Sequence, residues 1–217
     1  MSTIFDLGGK VAIVTGANTG IGQAIALSLA AAGADIAAVG RTPAEETVEK
    51  VRALGRKAEI VSADLSSIEP VQRVVDETIE KLGGLDILIN NAGIIRRADS
   101  VDFTEEDWDA VIDTNLKSTF FLAQAAGRHM LAQGSGKIVN IASLLSFQGG
   151  IRVPSYTASK SGVAGLTKLL ANEWAAKGVN VNAIAPGYIA TNNTAALQAD
   201  ETRNRQIQER IPAGRWG

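Results

Sequence analysis

The sequence predicts a single α/β domain, in which helices cover both faces of an open parallel sheet, because short β-branched runs alternate with longer helical stretches. The apolar runs are continuous, as is typical of strands that are buried on both sides. A glycine-rich turn follows the first run, and in such sheets ligands bind beyond the carboxyl ends of the strands. These observations predict a Rossmann-type, doubly wound sheet over residues 1–217, without a second domain.

The strands are predicted from their β-branched and apolar residues, in chain order at Val11–Thr15, Ile36–Val39, Ala58–Val61, Ile87–Asn90, Ile138–Ile141 and Val179–Ile184. The first helix is predicted between Ile21 and Ala32, and it ends at Gly33. Strand–helix–strand units of this length imply parallel strands that are joined by right-handed crossovers.

The clearest helix carries an apolar stripe at helical spacing, formed by Val71, Val74, Val75, Ile79 and Leu82. Ser66 or Ser67 is a candidate cap for it, and Pro70 suits a first helical turn. Two further helices are predicted, one from about Thr104 to Ala132 and one from about Ser155 to Gly178.

The composition excludes several classes of function. The chain has no cysteine, and its only histidine, His129, cannot form a histidine metal cluster or a Ser-His-Asp triad, so no metal site is expected. A net charge of −2 without a dominant basic cluster does not indicate nucleic-acid binding. The first ten residues lack signal-peptide features, and no apolar run of about 18 residues suggests a membrane span. We therefore expect a soluble, cytoplasmic protein.

The turn after the first strand reads TGANTGIG and places Gly16, Gly20 and Gly22 between strand and helix. Glycines allow a tight turn and a close backbone approach to a pyrophosphate, which the helix N-terminus also attracts. The turn in this context predicts a dinucleotide-binding site.

Other motifs stand at the ends of later strands: Asn90-Asn91-Ala92-Gly93, Ser143, Tyr156 with Lys160, and Pro186-Gly187 with Thr191 beyond. Together with the TGxxxGxG turn and Asn115, they resemble the short-chain dehydrogenase/reductase family over the whole chain. The resemblance implies that Ser143 hydrogen-bonds the substrate oxygen, that Tyr156 transfers a proton, and that Lys160 also holds the nicotinamide ribose. It further implies that Asn115 positions a water molecule.

The resemblance also implies a set of cofactor-binding residues, namely Gly16, Asn18, Thr19, Gly20, Ile21, Gly22, Arg41, Asp64, Leu65, Asn91, Ala92, Gly93, Tyr156, Lys160, Pro186, Gly187, Ile189 and Thr191. Whether the cofactor is NAD or NADP stays open. An acidic residue after the second strand would favour NAD, whereas Arg41 at this place suits the 2′-phosphate of NADP. The stretches around Ser143, Tyr156 and Pro186 resemble the family's sugar-acid enzymes, and this resemblance favours NAD. Asp64 matches the family residue that binds the adenine amino group.

Tyr156 and Lys160 lie four residues apart, so they share one face of a helix. A neighbouring ammonium favours the phenolate and lowers the pKa of a tyrosine. Lowering that pKa from about 10 to about 7 takes roughly 4 kcal/mol, which one charge at about 4 Å supplies in a medium with a dielectric constant near 20. The pair therefore predicts that Lys160 makes Tyr156 a usable general base near neutral pH.

The stretches around Ser143, Tyr156 and Pro186, and the end of the chain, resemble the family's sugar-acid dehydrogenases, which act on 2-deoxy-D-gluconate or 2-dehydro-3-deoxy-D-gluconate. A sugar acid needs a cation for its carboxylate, and a guanidinium binds it with two hydrogen bonds. The candidates are Arg152 or the pair Arg96 and Arg97, with Ser143 and Gln148 for other oxygens.

Three alternatives stay open: a gluconate 5-dehydrogenase, a 3-oxoacyl-carrier-protein reductase, or a catalytically silent dinucleotide-binding protein. The resemblance implies a homotetramer and a substrate lid at about 188–216. It also implies a further helix and a last parallel strand beyond Gly217.

Overall fold

The computed structural model describes residues 5–217, apart from the side chain of Asn193. Within that range, six parallel strands form one sheet in the order β3-β2-β1-β4-β5-β6. Their bounds are β1 (Val11–Thr15), β2 (Asp35–Gly40), β3 (Ala58–Ser62), β4 (Ile87–Asn90), β5 (Gly136–Ile141) and β6 (Val179–Ile184). The predicted doubly wound sheet is confirmed, and each strand lies within two residues of its predicted bounds. The prediction that the first ten residues lack a signal peptide includes residues 1–4, which lie outside the described residues.

The chain winds outward from β1 in both directions. Val14 on β1 pairs with Ala38 on β2 at one side and with Ile89 on β4 at the other. The strand order therefore reverses between β1 and β4. This switch point leaves a crevice at the carboxyl ends of the central strands.

Eight helices are described along residues 5–217: α1 (Gly20–Ala31), α2 (Glu45–Ala53), α3 (Val71–Leu82), α4 (Glu105–Ile112), α5 (Ser118–Gln133), α6 (Pro154–Trp174), α7 (Ala195–Ala199) and α8 (Glu201–Gln208). A wide π-helical turn, Asp113–Lys117, joins α4 to α5. A short 3₁₀ turn, Leu144–Ser146, follows β5, and another, Ala175–Lys177, ends α6 before Gly178.

The core has two layers, one on each face of the sheet. Alternate residues of β1 point to opposite faces, so Ile13 packs in the layer that contains α3 and α5, whereas Val14 packs in the layer that contains α1 and α2. Leu122 of α5 and Val48 of α2 are buried in these respective layers. Each such buried aliphatic side chain contributes about 1.5–3 kcal/mol, which holds the strand ends in place below the crevice.

Three local predictions differ from the structure. Helix α2 was not predicted, because it is short and only Val48 and Val51 form its buried apolar side. The helix predicted near 104–132 is interrupted by the π-helical turn. The predicted serine caps of α3 are wrong, because Pro70 directly precedes Val71, while the Ser67 hydroxyl accepts a hydrogen bond from the Glu69 backbone.

Candidate active site

A cavity of about 700 Å³ opens at the switch point. The turns that follow β1, β4 and β5 line it, together with the start of α6 and the segment after β6. This is the place at which a doubly wound sheet binds a ligand.

The glycine turn forms one end of the cavity. Gly16 and Gly20 have φ angles of +65° and +57°, a region that disfavours other residues. A Cβ on Gly22 would stand 2.1 Å from the Gly16 carbonyl oxygen, so any side chain would collide with the backbone. Glycine is thus required at these positions by the backbone conformation and by the close packing of the turn. The predicted residues of this turn all line the cavity, namely Gly16, Asn18, Thr19, Gly20, Ile21 and Gly22.

The turn after β4 is locked onto the glycine turn. The Thr15 hydroxyl accepts hydrogen bonds from the backbone N–H groups of Asn91 and Ala92, both at 2.9 Å, and donates to the Ile89 carbonyl at 3.2 Å. The Asn91 side-chain amide donates to the Thr15 and Gly16 carbonyl oxygens at 2.9 and 3.3 Å. Predicted residues Asn91, Ala92 and Gly93 all line the cavity.

Asn115 lies in the π-helical turn behind this wall, and only 1% of it is exposed. Its Oδ1 accepts from the Ile94 N–H at 2.8 Å, and its Nδ2 donates to the Ile94 carbonyl at 2.9 Å. A Cβ on Gly93 would lie 3.2 Å from Asn115 Oδ1 and 3.8 Å from Lys160 Nζ. Asn115 therefore fixes the backbone of the turn after β4 at Ile94. Its side chain and the Lys160 ammonium both lie next to Gly93.

Ser143 and Tyr156 meet inside the cavity. Ser143 is the second residue after β5, and its hydroxyl accepts a hydrogen bond from the Leu145 N–H at 3.2 Å. Tyr156 lies in the first turn of α6 and lines the same cavity as Ser143. Burial raises the pKa of Tyr156, while the neighbouring Ser143 hydroxyl and the positive charge of Arg97 act in the lowering direction. Two hydroxyls thus converge on one point, and the phenol keeps its proton at neutral pH.

Lys160 lies one helical turn further along α6 and is 5% exposed. Its Nζ donates to the Ile141 carbonyl at 2.5 Å and stands 5.8 Å from the centre of the Tyr156 ring. Burial lowers the pKa of Lys160 to about 8.

The predicted effect of Lys160 on the pKa of Tyr156 differs from the structure. The groups that act to lower this pKa are Ser143 and Arg97, and burial outweighs them. The physical reason is that the ammonium points to a backbone carbonyl and that burial disfavours its own charge.

Some predicted cofactor residues are not part of the cavity lining. Arg41 and Asp64 follow β2 and β3, with 3.9 Å between Arg41 Nη1 and Asp64 Oδ2, and 77% of the Arg41 side chain is exposed. The pKa of Asp64 is lowered, first by the Ser66 backbone N–H and to a lesser degree by Arg41. Leu65 is buried next to Asp64.

The turn after β6 contributes Gly187 and Thr191, two predicted cofactor residues, to the lining. Two further predicted residues, Pro186 and Ile189, make backbone hydrogen bonds here. The Pro186 carbonyl accepts from the Leu144 N–H at 3.0 Å, and the Ile189 carbonyl accepts from the Thr194 hydroxyl at 2.8 Å.

Of the predicted substrate residues, some line the cavity and others lie outside its lining. Arg97 and Arg152 line the cavity, and Arg152 Nε is 3.1 Å from Asp99 Oδ1. Arg152 also has a left-handed backbone with φ of +63°, which is uncommon for a residue with a side chain. Arg96 is instead paired with Asp107 at 3.0 Å, and Gln148 is exposed beyond the lining.

Among the cavity residues of the segment after β6, the sequence singled out Gly187 and Thr191 but not Tyr188, Asp200 and Arg203. The Tyr188 ring packs edge-on against Trp216 at 5.6 Å between ring centres, and Gly217 exchanges backbone hydrogen bonds with Tyr188 and Ala190. The resemblance located this segment as a lid, but no motif inside it marks which side chains face the cavity.

Within residues 5–217, no group of three or more His, Cys, Asp or Glu side chains is placed to hold a metal ion. No helix in the same range is both long and apolar enough to cross a membrane.

The family described as short chain dehydrogenase matches residues 10–202 of the chain. The protein belongs to the short-chain dehydrogenase family. This confirms the family predicted from the motifs, and the chain is accordingly an NAD(P)-dependent oxidoreductase that acts on CH–OH groups.

Three relatives show where the chain lies within the short-chain dehydrogenases. The 2-dehydro-3-deoxy-D-gluconate 5-dehydrogenase of Escherichia coli K12 is 59% identical over 98% of this chain and 85% of its own. A crystal structure with bound NADP from Agrobacterium tumefaciens, to which 2-deoxy-D-gluconate 3-dehydrogenase activity is attributed, is 61% identical with a TM-score of 0.89, covering 98% and 85% of the two chains. The gluconate 5-dehydrogenase of Burkholderia cenocepacia J2315, in complex with NADP and tartrate, is 40% identical with a TM-score of 0.92, covering 98% and 84%.

Proposed function

We propose that this short-chain dehydrogenase interconverts a secondary alcohol and a ketone on a sugar acid, either 2-dehydro-3-deoxy-D-gluconate or 2-deoxy-D-gluconate. The observation that carries the proposal is that Ser143 and Tyr156 meet in one cavity that Arg97 and Arg152 also line. The identity of 59% to a 2-dehydro-3-deoxy-D-gluconate 5-dehydrogenase supports the choice of substrate.

In the proposed mechanism, the bound nicotinamide supplies or accepts the hydride. The Ser143 hydroxyl holds the substrate oxygen beside the Tyr156 hydroxyl. Because burial raises the pKa of Tyr156, the phenol is protonated at neutral pH and can donate to a ketone oxygen during reduction. Oxidation requires the phenolate, so we expect that direction to accelerate as the pH rises.

Lys160 and Asn115 support this proton transfer in the proposal. The Lys160 ammonium is buried behind the Tyr156 ring and is suited to hold a ribose hydroxyl. Its pKa of about 8 lets it exchange a proton near neutral pH. Asn115, beside this ammonium, would position a water molecule on the path to solvent.

The residues present fit a dinucleotide. The glycine turn, Asn91–Gly93, Gly187 and Thr191 line the cavity and would hold its phosphates, ribose and nicotinamide, and the packing of the turn leaves no room for a Cβ at Gly22. Asp64 and Leu65 would meet the adenine, with Pro186 and Ile189 shaping the nicotinamide end. Either NAD or NADP is compatible, and Arg41 would be placed beside the 2′-phosphate of NADP, which two solved relatives contain.

The carboxylate of the substrate needs a cation near Tyr156. Arg97 fulfils this condition, because its charge acts on the Tyr156 hydroxyl, and Arg152 lines the same cavity. Gln148 remains a proposed contact for a sugar hydroxyl. The tartrate complex of a gluconate 5-dehydrogenase supports a hydroxy acid as the ligand class.

We further propose that the chain acts as one domain, with 188–216 as a substrate lid, and that it is a cytoplasmic homotetramer. Exposed Trp108 and Leu169, which are 40% and 47% accessible, support subunit contacts on the side of α4 and α6. Light scattering on the purified protein would test the tetramer.

A substrate panel tests the proposed function. Rates would be measured with 2-dehydro-3-deoxy-D-gluconate, 2-deoxy-D-gluconate, gluconate and an acyl thioester, each with both nicotinamide cofactors. We expect the highest kcat/KM with one of the first two. A preference for gluconate or for the thioester would instead indicate the corresponding relatives, and cofactor binding without any turnover would indicate a silent protein.

A further inference from the structure

Arg203 is a half-buried arginine of the lid that lines the same cavity as Ser143, Tyr156 and Arg97. It lies in the first turn of α8, where its backbone N–H donates to the Asp200 carboxylate at 2.9 Å. That bond caps the helix and fixes the position of Arg203. Asp200 also lines the cavity, with Oδ1 occupied by this bond.

The orientation of α8 directs Arg203 to the cavity. Ile207 follows four residues later on the same face of the helix and is only 1% exposed, so it anchors this face to the body of the protein. Arg205 lies on another face and is exposed. The two arginines therefore differ in position, although they share one helix and one charge.

The charge of Arg203 has no carboxylate partner among the contacts described for residues 5–217. Its Nη1 donates to the neutral Gln206 amide oxygen at 3.2 Å. By contrast, Arg152 is paired with Asp99, and Arg96 with Asp107. A cation in the first turn of a helix also opposes the helix dipole, so the helix itself gains nothing from this arginine.

We propose that Arg203 binds the carboxylate of the substrate together with Arg97, from the opposite segment of the cavity lining, and so selects hydroxy and keto acids over neutral polyols. The inference rests on the proposed function, since it deepens the account of the same cavity. A guanidinium presents two parallel donors that match a carboxylate, and Gln206 holds the group by a neutral bond that leaves its charge available. The lid thus contributes a specificity-determining residue.

The test compares Arg203→Gln with Arg205→Gln in the full chain. KM would be measured for 2-deoxy-D-gluconate and for 2-deoxy-D-glucitol, in which a CH₂OH group replaces the carboxylate. We expect Arg203→Gln to raise KM for the acid about 10- to 100-fold, as for loss of a charged hydrogen bond. KM for the polyol and both values for Arg205→Gln should stay unchanged. Arg203→Lys, which keeps the charge without the planar fork, should give an intermediate KM.

Two readouts separate this inference from others. The Kd for NADPH, measured by its fluorescence, should be unchanged in Arg203→Gln, and an equal loss of cofactor affinity would overturn the inference. An equal rise of both KM values, or no rise for the acid, would overturn it as well.

Calorimetric titration of 2-deoxy-D-gluconate into the NADP complex distinguishes failure of the proposed function. If the wild type binds the acid without turnover and Arg203→Gln abolishes binding, Arg203 keeps its role and the proposed reaction is wrong. The same titration is made with 2-dehydro-3-deoxy-D-gluconate, and if the wild type binds neither acid, both proposals are wrong.

Discussion

The cavity has a floor and a roof, and they are held in different ways. The floor, residues 15–22 and 91–93, is formed by backbone that is fixed by the Thr15 hydroxyl and the Asn91 amide. The roof, residues 188–217, consists of two short helices and turns, in which Trp216 Nε1 donates to Asn204 Oδ1 at 2.7 Å and packs on Tyr188. The floor presents mainly backbone and glycines, whereas the roof presents side chains such as Arg203.

This difference indicates a division of tasks. A cofactor that is the same in every turnover is suited to a rigid backbone cradle, because no rotamer has to be ordered when it binds. A substrate that distinguishes one family member from another is suited to side chains on a separate segment. Substitutions can then change the selected substrate without disturbing the cradle.

The largest effect is expected at the junction of floor and roof. Tyr156→Phe removes only the hydroxyl that meets Ser143, so kcat should fall about 100- to 10,000-fold, the usual contribution of general acid–base catalysis. The Kd for NADPH should stay near the wild-type value. Stopped-flow and fluorescence measurements check the two quantities, and comparable residual turnover would exclude Tyr156 as the proton donor.

The floor itself is tested by Gly22→Ala. The added Cβ would stand 2.1 Å from the Gly16 carbonyl, which must move, and such overpacking costs about 1–3 kcal/mol. We expect the Kd for both cofactors to rise about 10- to 100-fold.

Gly84→Ala is a matched control for Gly22→Ala, since its Cβ would meet no atom within 4 Å. Equal cofactor affinities in the two variants would contradict the backbone cradle.

The buried ammonium of Lys160 predicts that the stability of the protein depends on pH. Burial lowers the pKa of Lys160 in the folded protein to about 8, whereas in the unfolded chain it has its ordinary value of about 10.4. Between these two pH values Lys160 is protonated in the unfolded chain and largely neutral in the folded protein. The free energy of unfolding should therefore rise in this window, by up to about 1.4 kcal/mol per pH unit. Lys160→Met should lack this rise in urea titrations, and parallel pH profiles of the two proteins would refute it.

The smallest effect is expected at the exposed rim. Arg41→Gln should weaken NADPH about tenfold and leave NADH unchanged, because an exposed guanidinium contributes less than a buried one. Calorimetry with both cofactors measures this. An equal change for NADH and NADPH would remove Arg41 from any role at a 2′-phosphate.

The sequence predicted the floor better than the roof for a physical reason. Glycines such as Gly16 and Gly20 are required by backbone geometry, so their spacing is visible in the sequence. The inward position of Arg203 depends on Ile207, a tertiary contact that one amphipathic turn does not reveal. The same reason explains the pKa of Tyr156, since spacing placed Lys160 beside it but could not show that Nζ turns to the Ile141 carbonyl.

The single hydroxyl of Thr15, at the end of β1, bonds to three backbone groups at the end of β4 and in the turn after it. To spread these turns apart, all of its hydrogen bonds would have to break together, along with those of Asn91. In the proposed lid role, entry and departure of a ligand would displace the roof as one piece, because its indole–amide bond and its aromatic contact both lie within the roof. The buried side chain of Ile207, which anchors α8 to the body of the protein, is then the contact that resists opening. Turnover would then be timed by a segment that takes no part in breaking bonds, and mutations there could alter rate without touching chemistry.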